Sequence, residues 1–204
     1  MKLILCIFAS FLIGSLPFGF IAGKILGVDI RKVGSGNIGA TNVLRILGPL
    51  AGGVVLLLDI AKGLIVVLVG EKMGLSSTGL VLVSLGVILG HNYSIFLKFK
   101  GGKGIATTLG VFLGLDWRIV IVGFIIFLIT VSISKFVSLG SILGLLTLPV
   151  MVYLFYCNDN EKLLPFFAFS LFITALGILK HKSNIRRLLK GEENKISIRG
   201  KPKE

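Results

Sequence analysis

Long apolar runs alternate with short polar segments along this chain. Leu3–Gly23, Pro49–Gly70, Leu75–Leu97, Ile119–Ile133, Leu139–Tyr156 and Leu163–Leu179 approach or meet the roughly 20 apolar residues that one helical crossing of a bilayer needs. A shorter stretch, Gly104–Leu115, reads as one more, short crossing. The pattern predicts an all-α polytopic membrane protein with seven transmembrane helices, one of them short, and a short C-terminal interfacial helix. Leu3–Gly23 reads as a retained first span, because its apolar run exceeds the ~7–15 residues of a signal-peptide core and no small-residue cleavage site stands out.

Composition agrees with the pattern. Hydrophobic residues make up 54% of the 204 positions, charged residues only 15%, and mean hydropathy is +0.98. The net charge of +13 is unevenly placed, with nine of the 22 Lys and Arg residues lying from Lys180 onward. If Gly104–Leu115 crosses and the N-terminus is outside, seventeen of the 22 fall in cytoplasmic segments and Lys2, Lys72, Arg118 and Lys162 fall outside. If it does not cross, the basic tail lands opposite the first two basic loops, which the positive-inside rule disfavours. The expected arrangement is one integral membrane domain over residues 1–204, with 191–204 a basic cytoplasmic tail. Charge bias of this kind accounts for the basic excess without a nucleic-acid partner.

Polar chemistry is confined to three segments: Ser35–Arg45, Phe99–Thr108 and His181–Lys195. In the second, Lys100-Gly101-Gly102-Lys103-Gly104 leads into an apolar helix. Glycines let the backbone approach a ligand, and a helix N-terminus with free N–H groups attracts anions. No Walker A motif is formed, because Lys103 is followed by Gly104-Ile105. In the first segment Ser35, Asn37, Thr41 and Asn42 offer small polar groups, and Arg45 offers a planar fork for phosphate oxygens. Helical spacing from Gly39 puts Thr41 and Arg45 on one face. Gly34–Gly39 also matches GxGxxG with Asp59 at the dinucleotide-fold spacing, but Asp59 sits in an apolar span with no strand–helix series after it. In the third segment His181 and Asn184 share a helical face, and Ile185, Leu188 and Leu189 form a stripe opposed by Arg186, Arg187 and Lys190. Asp59 and Lys62, three apart in a span, read as an internal ion pair. Cys6 and Cys157 are far apart and neither they nor the two histidines have metal-ligand spacing, so neither metal nor cofactor is expected.

SGNIGATNVLR, GHNYSIFLKFKGGKGIATTLG and HKSNIRRLLKGEENK together resemble the three signature segments of the bacterial acyl-phosphate:glycerol-3-phosphate acyltransferases, the PlsY family. Length, span pattern and motif order agree over nearly the whole chain. The resemblance implies transfer of a fatty acyl group from a long-chain acyl phosphate, and not directly from acyl-CoA or acyl carrier protein, to the 1-position of glycerol 3-phosphate. The product would be lysophosphatidic acid, in the first acylation of phospholipid synthesis at the inner membrane. It also implies roles around glycerol 3-phosphate for Ser35, Arg45, Lys103, Ser141, His181 and Asn184. Where the family usually has proline, this chain has Ser94, which is expected to loosen the approach to the glycine loop.

An acyl phosphate is a mixed anhydride with a good leaving group, so direct attack by the glycerol hydroxyl needs no acyl-enzyme. Neither a Cys–His nor a Ser–His–Asp set is apparent, and His91 and His181 are followed five residues later by Phe96 and Arg186 rather than aspartate. The catalytic candidates are therefore Ser35, Arg45, Lys103, His181 and Asn184. The substrate-binding candidates are Asn37, Thr41, Asn42, Lys100, Gly101, Gly102, Gly104 and Ser141, with the N–H groups of Gly101 and Gly102 and the Lys100 ammonium assigned to the acyl phosphate and oxyanion. The base is either His181 or the substrate's own phosphate. Expected partners are the bilayer and a soluble enzyme that makes acyl phosphate, for which the basic tail is a landing surface. The competing reading is a transporter or binding protein for a small phosphorylated solute, against which stands the lack of an evident inverted repeat.

Overall fold

The structure is a computed structural model in which residues 1–196 are described. Residues 197–204, the end of the expected basic tail, lie outside the described residues. Nine α-helices and no strands occur among the described residues. They are α1 Lys2–Ser15, α2 Phe18–Ile25, α3 Ala40–Leu47, α4 Pro49–Lys72, α5 Ser77–Asn92, α6 Ile105–Ser134, α7 Val137–Tyr156, α8 Leu163–Lys180 and α9 Lys182–Leu189.

Among the described residues six segments are long and apolar enough to cross a membrane, one fewer than the seven expected, with α1 and α2 counted as one. The difference lies at Gly104–Leu115, which belongs to the same 30-residue element as the following span. A straight helix of that length would hold its ends about 45 Å apart. Yet Lys103, just before it, and Ser138, just after it, are linked through only two side chains: Lys103 donates to Asn184, which donates to Glu193, which accepts from Ser138. The chain doubles back at Asp116, the one residue inside the element with extended dihedrals (φ −168°, ψ 108°). The first arm, Ile105–Leu115, rises about 16 Å, roughly half the hydrocarbon core, and is too short to count as a full span. Its reversal nevertheless keeps all three polar segments at one end of the bundle.

Two packing devices hold the arm. Gly63 of α4 sits against the backbone of Thr107 and Val111, and Gly110 sits against the backbone of Ile60, so the two helices approach at the distance that small residues allow. At the turn, the Asp116 carboxylate accepts from the Arg118 guanidinium (2.6–3.1 Å) and from the Tyr156 hydroxyl (2.8 Å). A core of Val67, Val87, Val111, Phe112, Ile119, Val152 and Phe169 fills the space between α4, α5, α6, α7 and α8.

The first span is broken at Leu16–Pro17, where proline supplies no N–H to continue the helix. The carbonyls released inside the membrane find buried donors. Lys62 Nζ donates to Gly14 O (3.0 Å) and Leu16 O (3.2 Å), and Ser94 Oγ donates to Ser15 O (2.5 Å). Ser94 is thus buried and tied to α1, contrary to the expectation that serine here loosens the approach to the glycine loop.

Candidate active site

A cavity of about 390 Å³ opens where α3, the start of α6, α7 and the α8–α9 junction meet. Ser35, Asn37, Thr41, Asn42, Arg45, Lys103, Gly104, Ser141, His181 and Asn184 all border it, so residues from all three polar segments converge. Its polar end continues into an apolar arm walled by Leu56 and Ile60 of α4, Leu109, Val120, Phe124 and Phe127 of α6, and Leu145 and Leu148 of α7.

Each polar residue reaches the cavity for a local reason. Thr41 and Arg45 lie one turn apart on α3, as their spacing predicted. Arg45 Nη2 donates to Asn194 O (2.9 Å), while its Nε is buried with no acceptor among the described residues. His181 ends α8 and opens α9, so that it and Asn184, both nearly fully buried, face the same space. His181 Nδ1–H donates to Gly177 O (2.7 Å), which leaves Nε2 as the ring nitrogen carrying the lone pair. Burial pushes the His181 imidazole down to about 4, with the Lys103 charge adding to the effect. Lys103 donates to the side-chain oxygen of Asn184. Burial also pushes the Lys103 ammonium down to about 8, with Glu193 opposing that shift and Arg187 and Arg45 adding to it.

Gly104 has φ +83°, a conformation open to glycine, and caps α6, whose first residues Ile105 and Ala106 border the cavity and carry N–H groups with no partner inside the helix. These are the amides available to an anion. The expected pair is not. Gly101 N–H donates to Asn92 O (3.3 Å) and Gly102 N–H to His91 O (3.0 Å), so both are spent on tying the loop to the end of α5. Gly102 is needed because a β-carbon there would run into the His91 ring. Lys100 is exposed and away from the cavity wall, which corrects its assignment to the acyl phosphate. Asn42 is also reassigned. Its Oδ1 accepts from Ser35 N (2.9 Å) and its Nδ2 donates to Ile30 O, Val33 O and Asn37 O, so it shapes the Ser35–Asn37 loop and has no donor left for a ligand. Ser141 Oγ donates to Val137 O (2.9 Å) and so meets the cavity as an acceptor.

Two bordering residues escaped sequence reasoning. Glu193 is buried and accepts from Ser138 (2.8 Å), Asn184 (2.7 Å) and Arg187 (2.7 Å). Burial opposes its ionisation, but these donors outweigh that and hold its carboxyl below the usual glutamate value. The signal available for it was a pair of acids, Glu192 and Glu193, in an otherwise basic segment. His91 borders the cavity floor beside Asp59. Asp59 and Lys62 form the expected ion pair (2.8 Å).

No group of three or more His, Cys, Asp or Glu residues able to hold a metal occurs among the described residues. The arrangement suits a ligand with a phosphate at one end and a hydrocarbon chain at the other.

Comparison with known proteins leads the same way. The family model for glycerol-3-phosphate acyltransferase matches residues 4–191. A glycerol-3-phosphate acyltransferase of Desulforamulus reducens is 44% identical, covering 95% of this chain and 94% of its own. One of Prochlorococcus marinus (strain MIT 9312) is 45% identical, covering 95% and 98%. The crystal structure of the integral membrane acyltransferase PlsY in its glycerol 3-phosphate form superposes with a TM-score of 0.88 at 36% identity, covering 97% of this chain and 96% of that one. The lysophosphatidic acid form gives 0.85 at 35%, covering 97% of each. On sequence, fold and motif order together, this chain belongs to the PlsY family of glycerol-3-phosphate acyltransferases.

Proposed function

We infer that this chain acylates the 1-hydroxyl of glycerol 3-phosphate with a fatty acyl group from acyl phosphate, giving lysophosphatidic acid and inorganic phosphate in the first acylation of phospholipid synthesis. One observation carries the reading: a single cavity joins a half-buried cationic end, with Arg45 and Lys103, to an apolar arm between α4, α6 and α7. Both substrates carry a phosphate, and one carries a hydrocarbon chain.

In this mechanism Arg45, Lys103, Ser35, His181 and Asn184 hold glycerol 3-phosphate. The hydroxyl oxygen attacks the acyl carbonyl carbon, and charge develops on the carbonyl oxygen. The first-turn amides of Ile105 and Ala106 and the Lys103 ammonium are the donors at hand for that oxyanion, a contribution of about 2.7–4 kcal/mol per donor in acyl transfer generally. The intermediate collapses by breaking the carbon–oxygen bond to phosphate. His181, held near 4, is a weak base at neutral pH. The substrate's own phosphate, with a second pKa of about 6, accepts the hydroxyl proton. The acyl chain lies along Leu109, Phe124, Phe127 and Leu148.

Because the reversal at Asp116 returns the chain to the polar end as a short crossing would, the charge bias supports a cytoplasmic site in the plasma membrane of a bacterium, with the N-terminus outside and the C-terminus inside. Residues 191–204 then form the basic cytoplasmic part of a single domain, a landing surface for a soluble enzyme that makes acyl phosphate.

The test supplies purified protein with long-chain acyl phosphate, with and without glycerol 3-phosphate and without added metal. Phosphate release should depend on glycerol 3-phosphate and match lysophosphatidic acid in amount, while acyl-CoA should not serve. Folded protein that binds glycerol 3-phosphate without turnover, or that carries it across a sealed vesicle, would overturn the reading.

A further inference from the structure

Three ionisable side chains that this mechanism leaves unused are buried together beneath the site. Asp59, Lys62 and His91 are 2%, 4% and 6% exposed, and burying such groups in a membrane is costly unless they are paired. Lys62 Nζ lies 2.8 Å from Asp59 Oδ1 and 2.8 Å from His91 Nδ1, while also donating to Gly14 O and Leu16 O. An ammonium can only donate, so His91 Nδ1 carries the lone pair and Nε2 the hydrogen. The ring is fixed from one side by Lys62.

Its other side carries the glycine loop. Gly102 rests where its missing side chain would meet the ring, and His91 O accepts from Gly102 N (3.0 Å). The next carbonyl, Asn92 O, accepts from Gly101 N (3.3 Å) and from Lys180 Nζ (2.9 Å). Lys103 follows the loop directly and His181 follows Lys180. The end of α5 therefore supports both polar walls of the cavity, and the charge cluster fixes the end of α5 against the broken first span.

We propose that Asp59, Lys62 and His91 form a positioning cluster that seats the Gly101–Gly104 loop, and with it Lys103, at the phosphate end of the cavity. The inference rests on the acyltransferase reading and extends it to residues that need not touch substrate. A displacement of about 1 Å at such a loop is enough to cost about 100-fold in rate.

His91→Leu removes the acceptor for Lys62, whereas His91→Asn keeps an acceptor near the Nδ1 position. In His91→Leu the KM for glycerol 3-phosphate should rise about tenfold, the loss expected when a hydrogen bond to a charged group is broken. The alkaline limb of kcat/KM, set by Lys103 among Glu193, Arg187, Arg45 and His181, should move up by about one pH unit as Lys103 leaves its buried seat. His91→Asn should stay within about twofold of wild type on the same hydrogen-bond argument. Lys103→Arg is the control, with no limb near pH 8 to move. A lower melting temperature with KM and limb unchanged would overturn the proposal and leave the cluster a purely structural cap. If His91→Leu is not recovered folded, His91→Gln, which moves the acceptor by one bond, is read by the same two numbers, and wild-type values there also overturn it. Absence of acyl transfer by the wild type removes the acyltransferase reading and this inference together; wild-type turnover with an unaffected His91→Gln removes this inference alone.

Discussion

At the scale of single residues, Lys103 links burial to pH dependence. Its ammonium is held at about 8 by burial, and in the proposed mechanism glycerol 3-phosphate binds as an anion that needs the charged form. Raising the pH through 8 discharges the free enzyme, so kcat/KM for glycerol 3-phosphate should fall about tenfold per unit above that value. Bound phosphate favours the cation, so the limb in kcat should lie at higher pH. Lys103→Arg, slower because a fork replaces a point charge, should show no limb below about pH 10. A rate profile from pH 6 to about 10 with long-chain acyl phosphate checks this, and an unchanged limb in Lys103→Arg would assign it to another group. Of the residues bordering this one cavity, Arg45 was legible from its helical spacing to Thr41, His181 and Asn184 from their own spacing, and Lys103 from the glycine loop that opens α6. Glu193 was not. It lies among charged tail residues that read as solvated, and its burial depends on the chain returning to α7, where Ile196 N–H donates to Lys135 O (2.8 Å). The role of Gly101 and Gly102 was misread for a related reason: composition identifies glycines that bring backbone close to something, but not what that something is.

At the scale of elements, the reversal inside α6 decides whether a site exists. Hydropathy located every apolar segment, since lipid solvates them all alike, but it does not reveal that Gly104–Leu115 and the following span are two arms turned at Asp116 beside Tyr156, the last residue of α7. The turn is written in one polar residue, Asp116, whose carboxylate is nearly buried. Its bonds to Arg118 hold one strand of the turn, and the Tyr156 hydroxyl ties that turn to α7. Arg118 is half exposed, so its pairing contributes little. Loss of the carboxylate mainly leaves the Tyr156 hydroxyl buried without an acceptor. Asp116→Ala should therefore destabilise the protein by about 2 kcal/mol, the cost of an unsatisfied buried polar group. Thermal unfolding in detergent measures this. The KM for glycerol 3-phosphate should stay near wild type in the folded fraction, because Asp116 lies an arm's length from the phosphate end. A raised KM with unchanged stability would mean that the turn acts on the site directly.

At the scale of the whole molecule, the short arm explains how a small membrane protein encloses a cavity with a polar end and an apolar arm. The arm Ile105–Leu115 leads away from the polar end, and the reversal at Asp116 returns the chain as the wall bearing Val120, Phe124 and Phe127. Residues of α4 and α7 both border the cavity, and Leu109 of the arm lines its apolar part. No local sequence pattern specifies such a wall, because its residues come from four separate segments of equal hydrophobicity. This geometry makes chain length sensitive to the arm while leaving the phosphate end untouched. Leu109→Trp fills part of the apolar arm in a cavity of about 390 Å³. A long acyl chain then loses contact area, at about 0.8 kcal/mol per methylene kept out, so displacing two methylenes should raise the KM for long-chain acyl phosphate by roughly tenfold. A short-chain acyl phosphate that ends before Leu109 should keep its KM, and the KM for glycerol 3-phosphate should not move. Steady-state kinetics over a series of acyl phosphates of increasing length measures this. A uniform loss at every length would mean that Leu109 supports the fold of the arm, whereas a loss that begins at a definite length would mark the depth at which the chain passes it.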